Sequence, residues 1–294
     1  MTRIPRNDRI LSISHNDLDG AGCGILLGAI FPNITYVNCS YYDIDKELQA
    51  TNPVDYDFIF VTDIFPNDQK SLEKFDNLIL IDHHQTAENR PENKWYVNKK
   101  YSATYLTKHF LEKMYGVDSL KSYTKLVKLI NDYDLWERKY KGSSALNNLF
   151  SLYHSEKFRE RFRSGDIEFN DREKEHIKDI QKRFDVLYDN LEIFEFEKIN
   201  ACFFISDISV NELSDKLLHT DGYDIVFFNT LKNYKISIRS KLDDFNVGMY
   251  LKEKNIGGGH FKAAGIDVAT EHDMNSTLDT LEKDLYNLLP HIRK

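Results

Sequence analysis

The sequence predicts an α/β fold in two domains: an N-terminal parallel-sheet domain and a smaller C-terminal α/β domain, joined by a helical connector. Three observations predict it. Short apolar runs alternate with helical patterns through the first half, the same alternation restarts near residue 200, and a long charged stretch separates the two series. A chain of 294 residues suggests about two domains by itself. With 41% hydrophobic and 29% charged residues it has material for a buried core, which excludes disorder as the main state.

In chain order, Arg9–Ser14 reads as the first strand, followed by a turn and an apolar helix over about Ala21–Ala29. Phe58–Thr62 and Leu78–Ile81 are continuous apolar runs, the kind buried on both faces of a parallel sheet. Right-handed crossovers then place helices on both sides of that sheet. Ser102 or Ser119 is expected to cap the helices that follow, and Leu126, Leu129 and Ile130 give helical spacing between Leu120 and Ile130. Ser155 to about Glu195 reads as helical and heavily charged, a solvated face rather than a binding surface. The second series comprises a strand at Ala201–Ile205, a helix at Asn211–His219, and strands at Ile225–Phe228 and Tyr234–Ser240. The expected division is therefore a first domain over 1–190, a connector over 191–199 and a second domain over 200–294.

Charge and cysteine usage narrow the function classes. Lys and Arg total 39 against 47 Asp and Glu, a net charge of −8. That excess argues against coating long nucleic acid, where a basic footprint is expected, but not against short anionic substrates held by metals or a few cations. No apolar stretch follows the charged N-terminus, so no signal peptide is expected. The most apolar window, Ala21–Phe31, is shorter than the roughly 20 residues of a membrane span. Cys23, Cys39 and Cys202 are far apart and read as reduced thiols of a cytoplasmic protein.

Four polar clusters stand at the ends of first-domain elements. His15-Asn16-Asp17-Leu18-Asp19-Gly20 follows the first strand, Asp63 closes the second, and Asp82-His83-His84 closes the third; Asn131-Asp132-Tyr133-Asp134 closes a helix. In an open parallel sheet, ligands bind beyond the carboxyl ends of the strands, so the three strands would deliver these groups to one crevice. Each cluster alone has a structural alternative. Asp17 and Asp19 before Gly20 could be turn residues, Asp63 a helix cap, and Asp134 and Trp136 structural residues. Adjacent histidines at a strand end have no packing rationale, and the four together favour metal. Several carboxylates in one crevice need compensating cations. Oxygen and imidazole donors suit Mn²⁺, Mg²⁺ or Fe²⁺, and their number suits a two-metal site.

These clusters resemble the four motifs of the DHH phosphoesterases, named for the triplet found here as Asp82-His83-His84. Downstream, Gly257-Gly258-Gly259-His260-Phe261-Lys262-Ala263-Ala264-Gly265 resembles the glycine-rich signature of the DHH-associated substrate-binding domain. Ser237-Ile238-Arg239-Ser240 and Phe245-Asn246-Val247 fit its run-up. The His-x-Asp-Leu-Asp-Gly variant, with Asn131 to Glu137, is most similar to the NrnB-type oligoribonuclease branch. It departs from the RecJ exonucleases, which carry Asp where His15 stands. It departs also from the NrnA and family II pyrophosphatase pattern, where the first His lies farther from the Asp. The resemblance implies His15, Asp17, Asp19, Asp63, His83 and Asp132 as ligands of two divalent cations, Mn²⁺ ahead of Mg²⁺ or Fe²⁺. Asp63 would bridge them and Asp19 would serve the second ion. It implies His84 as a stabiliser or proton donor and Asp134 as a residue orienting a ligand or water. Arg239, Gly257, Gly258, Gly259 and His260 would bind a terminal phosphate through close backbone approach and charge-assisted hydrogen bonds.

The activity so implied is a metal-dependent phosphodiesterase or exonuclease that degrades short single-stranded oligoribonucleotides to nucleoside monophosphates. Alternatives within enzymes are a linear or cyclic dinucleotide, 3′-phosphoadenosine 5′-phosphate, or short single-stranded DNA as substrate. A nucleotide-binding regulator is the alternative from another class, and the intact acidic and histidine set speaks against it. Short RNA or a small nucleotide is the expected partner, with no membrane and with homo-oligomerisation left open.

Overall fold

Period-two alternation in buried strands decides how the first part of the chain is layered. The computed structural model describes residues 3–84, 87, 89, 90, 94–206, 210–230, 235–268 and 270–292. The chain divides into two compact units, Met1–Ile177 and Lys178–Lys294. In the first, the elements run β1 Ile10–His15, α1 Leu18–Ile30, β2 Ile34–Cys39, α2 Ile44–Ala50, β3 Phe58–Thr62, α3 Lys70–Glu73, β4 Leu78–Asp82 and β5 Trp95–Val97. There follow α4 Ala103–Tyr115, α5 Thr124–Asp134, α6 Lys141–Phe162, which breaks its helical geometry at His154, and α7 Asp171–Asp189, which spans the division. The strands form one parallel sheet in the order β2-β1-β3-β4-β5. Ile10, Phe60, Ile79 and Ile81 face a core with Leu26 and Leu27 of α1 and Leu126 and Ile130 of α5. Their neighbours Leu11, Ile13, Ile59, Val61, Leu78 and Leu80 face the opposite core, with Ile44, Leu48 and Leu72. Side chains alternate across a strand, so one apolar run supplies both faces. The lateral order of strand addition reverses between β1 and β3, the switch point where a crevice opens at the carboxyl ends.

The second unit repeats the principle on a mixed sheet. β6 Ile193–Glu195, β7 Ala201–Ile205, α8 Val210–His219, β8 Ile225–Asn229, β9 Lys235–Ser240, α9 Val247–Glu253, β10 Gly258–Gly259, β11 Ala263–Asp267 and α10 Glu271–Ile292 follow in order. The sheet runs β10-β11-β9-β8-β7-β6, with only β7 and β8 parallel among its pairs. Phe203, Phe227 and Ile238 pack on Leu278, Leu281 and Leu285, whereas Cys202, Phe204 and Phe228 pack on Phe184, Leu213 and Leu217.

Several sequence expectations change in detail. α1 begins at Leu18 rather than after a turn, because Asp17 caps it, accepting from the Gly20 N–H at 3.0 Å. Ser102 caps α4, but Ser119 caps no α-helix; its hydroxyl donates to the Gly116 carbonyl within a 3₁₀ turn over Val117–Tyr123. β2 is an edge strand of half-buried residues, without the apolar run that marks β3 and β4. Ile193–Glu195 is a strand rather than the end of a helix, since it pairs antiparallel with β7. Tyr234, read as the start of β9, lies outside the described residues. Among the described residues, no helix is long and apolar enough to cross a membrane.

The charged stretch contains one buried ion pair that shapes the turn from α6 to α7. Asn170 and Glu173 form a reciprocal cap, the Asn170 N–H donating to Glu173 Oε2 at 2.8 Å and the Glu173 N–H to Asn170 Oδ1 at 3.0 Å. Arg161 adds two hydrogen bonds to the same carboxylate, at 2.7 and 3.0 Å, and Tyr153 a third at 2.9 Å. Burial opposes ionisation of Glu173, but Arg161 and the Asn170 N–H hold its carboxyl below the ordinary range. A depressed carboxyl stabilises the fold above its unfolded value and loses that contribution as pH falls through the folded value. Glu173→Gln should therefore cost roughly 2–4 kcal/mol at neutral pH. Urea unfolding checks this, and the gap to wild type should narrow below about pH 4.3, the ordinary glutamate value.

Candidate metal centre

At the carboxyl ends of β1, β3 and β4 the chain delivers an imidazole or a carboxylate from each strand. His15 ends β1, Asp63 follows β3 directly, and Asp82 ends β4 with His83 and His84 behind it. Asp63 sits in the left-handed region at φ 60°, with its N–H donating to the Ile81 carbonyl at 3.0 Å. Aspartate tolerates that conformation better than most residues, and such strain collects at functional sites. α1 starts hard against β1, and a side chain at Gly20 would place its Cβ 2.1 Å from the His15 carbonyl oxygen. Only glycine allows Asp17 and Asp19 to stand so close to His15.

His83 Nε2 is the hub of the buried part. It lies 3.2 Å from Asp63 Oδ1, 3.4 Å from Asp134 Oδ2 and 3.7 Å from Asp19 Oδ2. The other side of Asp63 faces β1: His15 Nδ1 is 2.7 Å from Asp17 Oδ2 and 3.9 Å from Asp63 Oδ2. The donor groups of ligating distance include one of His15, Asp17 and Asp63, one of Asp19, His83 and Asp134, and one of Asp63, Asp82, His83 and His84, and Asp63 Oδ1 lies 3.2 Å from the His83 that the last two share. Asp19 is fixed by the start of α4, accepting from the Ala103 N–H at 2.7 Å and the Thr104 N–H at 2.9 Å. A carboxylate there also meets the positive end of the helix.

The electrostatics of this cluster are unbalanced. Burial and the carboxylates of Asp17, Asp19 and Asp134 push the Asp63 carboxyl well above its ordinary range. Burial and Asp19, Asp17 and Asp82 do the same to Asp134. The buried Oδ2 atoms of both accept no hydrogen bond among the described residues. Burial and the neighbouring His84 lower the pKa of His83, which keeps its ring a neutral donor. Burial opposes ionisation of Asp82, yet His84 and the His83 N–H hold it at about 2. Burial would lower His84, but Asp82 at 2.7 Å from its Nδ1 raises it. Carboxyl oxygens without partners, beside neutral imidazole nitrogen, are what divalent cations of the Mn²⁺ and Mg²⁺ type bind. The residues present fit such ions. The thiol of Cys23 does not compete, because burial and Asp19 push its pKa up and Thr107 donates to its Sγ.

The structure brings most of the expected residues together and sets one apart. His15, Asp17, Asp19, Asp63 and His83 come together, with His84 beside them. Asp132, expected as a ligand, is instead turned away: its carboxylate accepts from the N–H groups of Lys139 and Tyr140 at 2.8 and 3.2 Å. It closes the loop after α5, where Trp136 and Arg138 adopt positive φ. Residues two apart on a helix point about 200° apart, so only one of Asp132 and Asp134 can face the cluster. Asp134 is the one that does. In the second unit, Gly258 and Gly259 form β10, flanked by Gly257 and His260, and Arg239 lies on β9, with β11 between the two strands. Gly259 has φ 149° and pairs with Ala264, and Arg239 pairs with Ala263 across β9 and β11. The His260 N–H donates to the Ala263 carbonyl at 2.7 Å, so that amide serves the hairpin rather than an open anion nest. Arg239 is steadied by Asn211 at 3.1 Å and lies over the Phe228 ring at 5.2 Å.

The contrast between the two aspartates is testable. Asp134→Asn should weaken Mn²⁺ binding by about 10–100-fold with little change in thermal stability. Asp132→Asn should lower thermal stability while Mn²⁺ affinity stays near wild type. Calorimetric titration and melting curves on both variants decide it, and the reverse pattern would restore Asp132 as the ligand.

No protein-family model matches the chain. It is 26% identical over 298 residues to oligoribonuclease NrnB of Bacillus subtilis (strain 168), an alignment covering 88% of this chain and 72% of that protein. Its fold is similar to that of the pGpG-specific phosphodiesterase PggH from Vibrio cholerae, with a TM-score of 0.56 and 14% identity over 96% of this chain and 99% of that one. RecJ from Thermus thermophilus, solved in complex with Mn²⁺, is similar at a TM-score of 0.58 and 13% identity, covering 95% of this chain and 52% of that one. The chain is therefore similar in sequence, along most of its length, to a curated oligoribonuclease, and it shares its fold with a phosphodiesterase and with RecJ.

Proposed function

We propose that the protein is a divalent-metal-dependent phosphodiesterase that degrades short single-stranded oligoribonucleotides to nucleoside monophosphates. The observation carrying this reading is the position of Asp63, one carboxylate facing two donor groups, in a chain related to an oligoribonuclease. His15, Asp17 and Asp63 would hold one cation; Asp19, Asp63, His83 and Asp134 would hold the other. Bound there, two divalent ions neutralise phosphoryl charge and lower the pKa of water. Mn²⁺ is favoured by the mixed imidazole and carboxylate donors. Asp82 orients His84 and raises its pKa, which suits it to donate a hydrogen bond or proton to a phosphoryl or leaving-group oxygen. In this reading the first unit is catalytic and the second recognises substrate, with Arg239, His260 and the Gly257-Gly258-Gly259 loop directed to a terminal phosphate. The acidic balance of the chain, −8 overall, favours short substrates, since long strands would need many phosphate contacts.

The test is a panel of substrates with defined ends, read by product mass in Mn²⁺. Di- to pentaribonucleotides should be consumed faster than long RNA, and Asp63→Asn should reduce turnover to background. Equal rates on long and short RNA remove the short-oligomer reading. Selective hydrolysis of pGpG would instead place the dinucleotide as substrate.

A further inference from the structure

The charged stretch that the sequence presents as a solvated face sends one arginine inward, toward the edge of the metal centre. α6 breaks its helical geometry at His154, and beyond the break Phe158 and Phe162 are buried in the first core. Arg159, next to Phe158, turns to β2. Its Nη1 donates to Asn38 Oδ1 at 2.6 Å, and its guanidinium lies over the Tyr36 ring at 4.2 Å. α1 leaves room for the stem, since a Cβ at Gly24 would stand 2.9 Å from Arg159 Cδ. Arg161, two residues on, pairs with Glu173; the half-buried Arg159 makes no ion pair among the described residues. Its guanidinium is spent on an amide instead of a carboxylate.

That amide joins the arginine to β1. In the parallel register Asn38 stands beside Ser14, and Cys39 beside His15. Asn38 Nδ2 donates to Ser14 Oγ at 2.9 Å and to the His15 carbonyl at 3.3 Å. Arginine carries donors and no acceptor, so only Oδ1 can face it, and Nδ2 is thereby committed to β1. Without that constraint the amide can turn over and set its oxygen against the His15 carbonyl, which loses its donor. The carbonyl stands where β1 ends, two residues before Asp17 caps α1. The same edge holds the His15 ring. Tyr41, just past β2, packs on it at 4.9 Å between centroids and meets the His84 ring edge-on at 5.5 Å. Groups that orient a ligand from outside the centre contribute to metal affinity without touching the ion.

We propose that Arg159 and Asn38 are positioning residues of the metal centre, the arginine orienting the amide and the amide holding the turn that carries His15 and Asp17. The proposal rests on the reading of His15 and Asp17 as metal ligands. Arg159→Met keeps the stem against α1 and Tyr36 and removes the donor. It should weaken Mn²⁺ binding about tenfold in calorimetric titration, with thermal stability near wild type. The direction is diagnostic, because loss of a positive charge acting only through space would tighten cation binding. Arg159→Lys, also a donor without an acceptor, should restore most of the affinity. Asn38→Ala should show the same loss, and Arg159→Met should add nothing to it, because the arginine acts through the amide. Unchanged or tighter Mn²⁺ binding in Arg159→Met, or additive losses in the double variant, would overturn the proposal. A second arm uses the metal-free protein and the backbone ¹⁵N resonance of Asn16, which shares its peptide group with the His15 carbonyl. That resonance should move on Arg159→Met, and an unmoved one overturns the proposal as well. If wild type binds no Mn²⁺, the metal reading fails, and the resonance still decides whether Arg159 holds the turn.

Discussion

Everything in the first unit turns on the crowding of carboxylates around Asp63. That side chain is 1% exposed and faces Asp17, Asp19 and Asp134, a crowding of carboxylates that calls for a compensating charge. Burial and this crowding drive the Asp63 and Asp134 carboxyls upward, toward their protonated forms. Divalent cations supply the compensating charge better, because they also satisfy the oxygen lone pairs that no protein donor among the described residues reaches.

The scaffold is arranged to hold this unfavourable cluster together. Apolar strands filled on both faces fix where β1, β3 and β4 end, and the switch point sets those ends side by side. Helix starts then take up part of the negative charge: Asp17 caps α1, and Asp19 receives the first N–H groups of α4. Farther out, the Arg161–Glu173 pair and its reciprocal cap lock the turn between α6 and α7. Part of the charged stretch is thus internal structure rather than a solvated face.

The legible part of the site shares one property: each residue stands at the end of a strong local pattern. Asp63 and Asp82-His83-His84 follow continuous apolar runs, and His15 to Gly20 follows another. Where the local pattern is weak, inference from the sequence stops short. β2 lacks a buried run because it is an edge strand, and Tyr41 at its end was therefore invisible as a neighbour of His84. Asp132 and Asp134 stand two apart in one motif, and nothing local says which side of α5 meets the sheet.

The sequence by itself determined the fold class and the strand ends at which the candidate residues stand, since apolar periodicity and chain direction are local properties. Tertiary structure alone decided how those residues group: that Asp63 lies beside both His15 and His83, that Asp134 rather than Asp132 turns inward, and that Tyr41 rests on His15 and His84. The physical reason is the same in each case. A helix rotation and the lateral order of strands are set by contacts between segments far apart in the chain, and no local pattern records them.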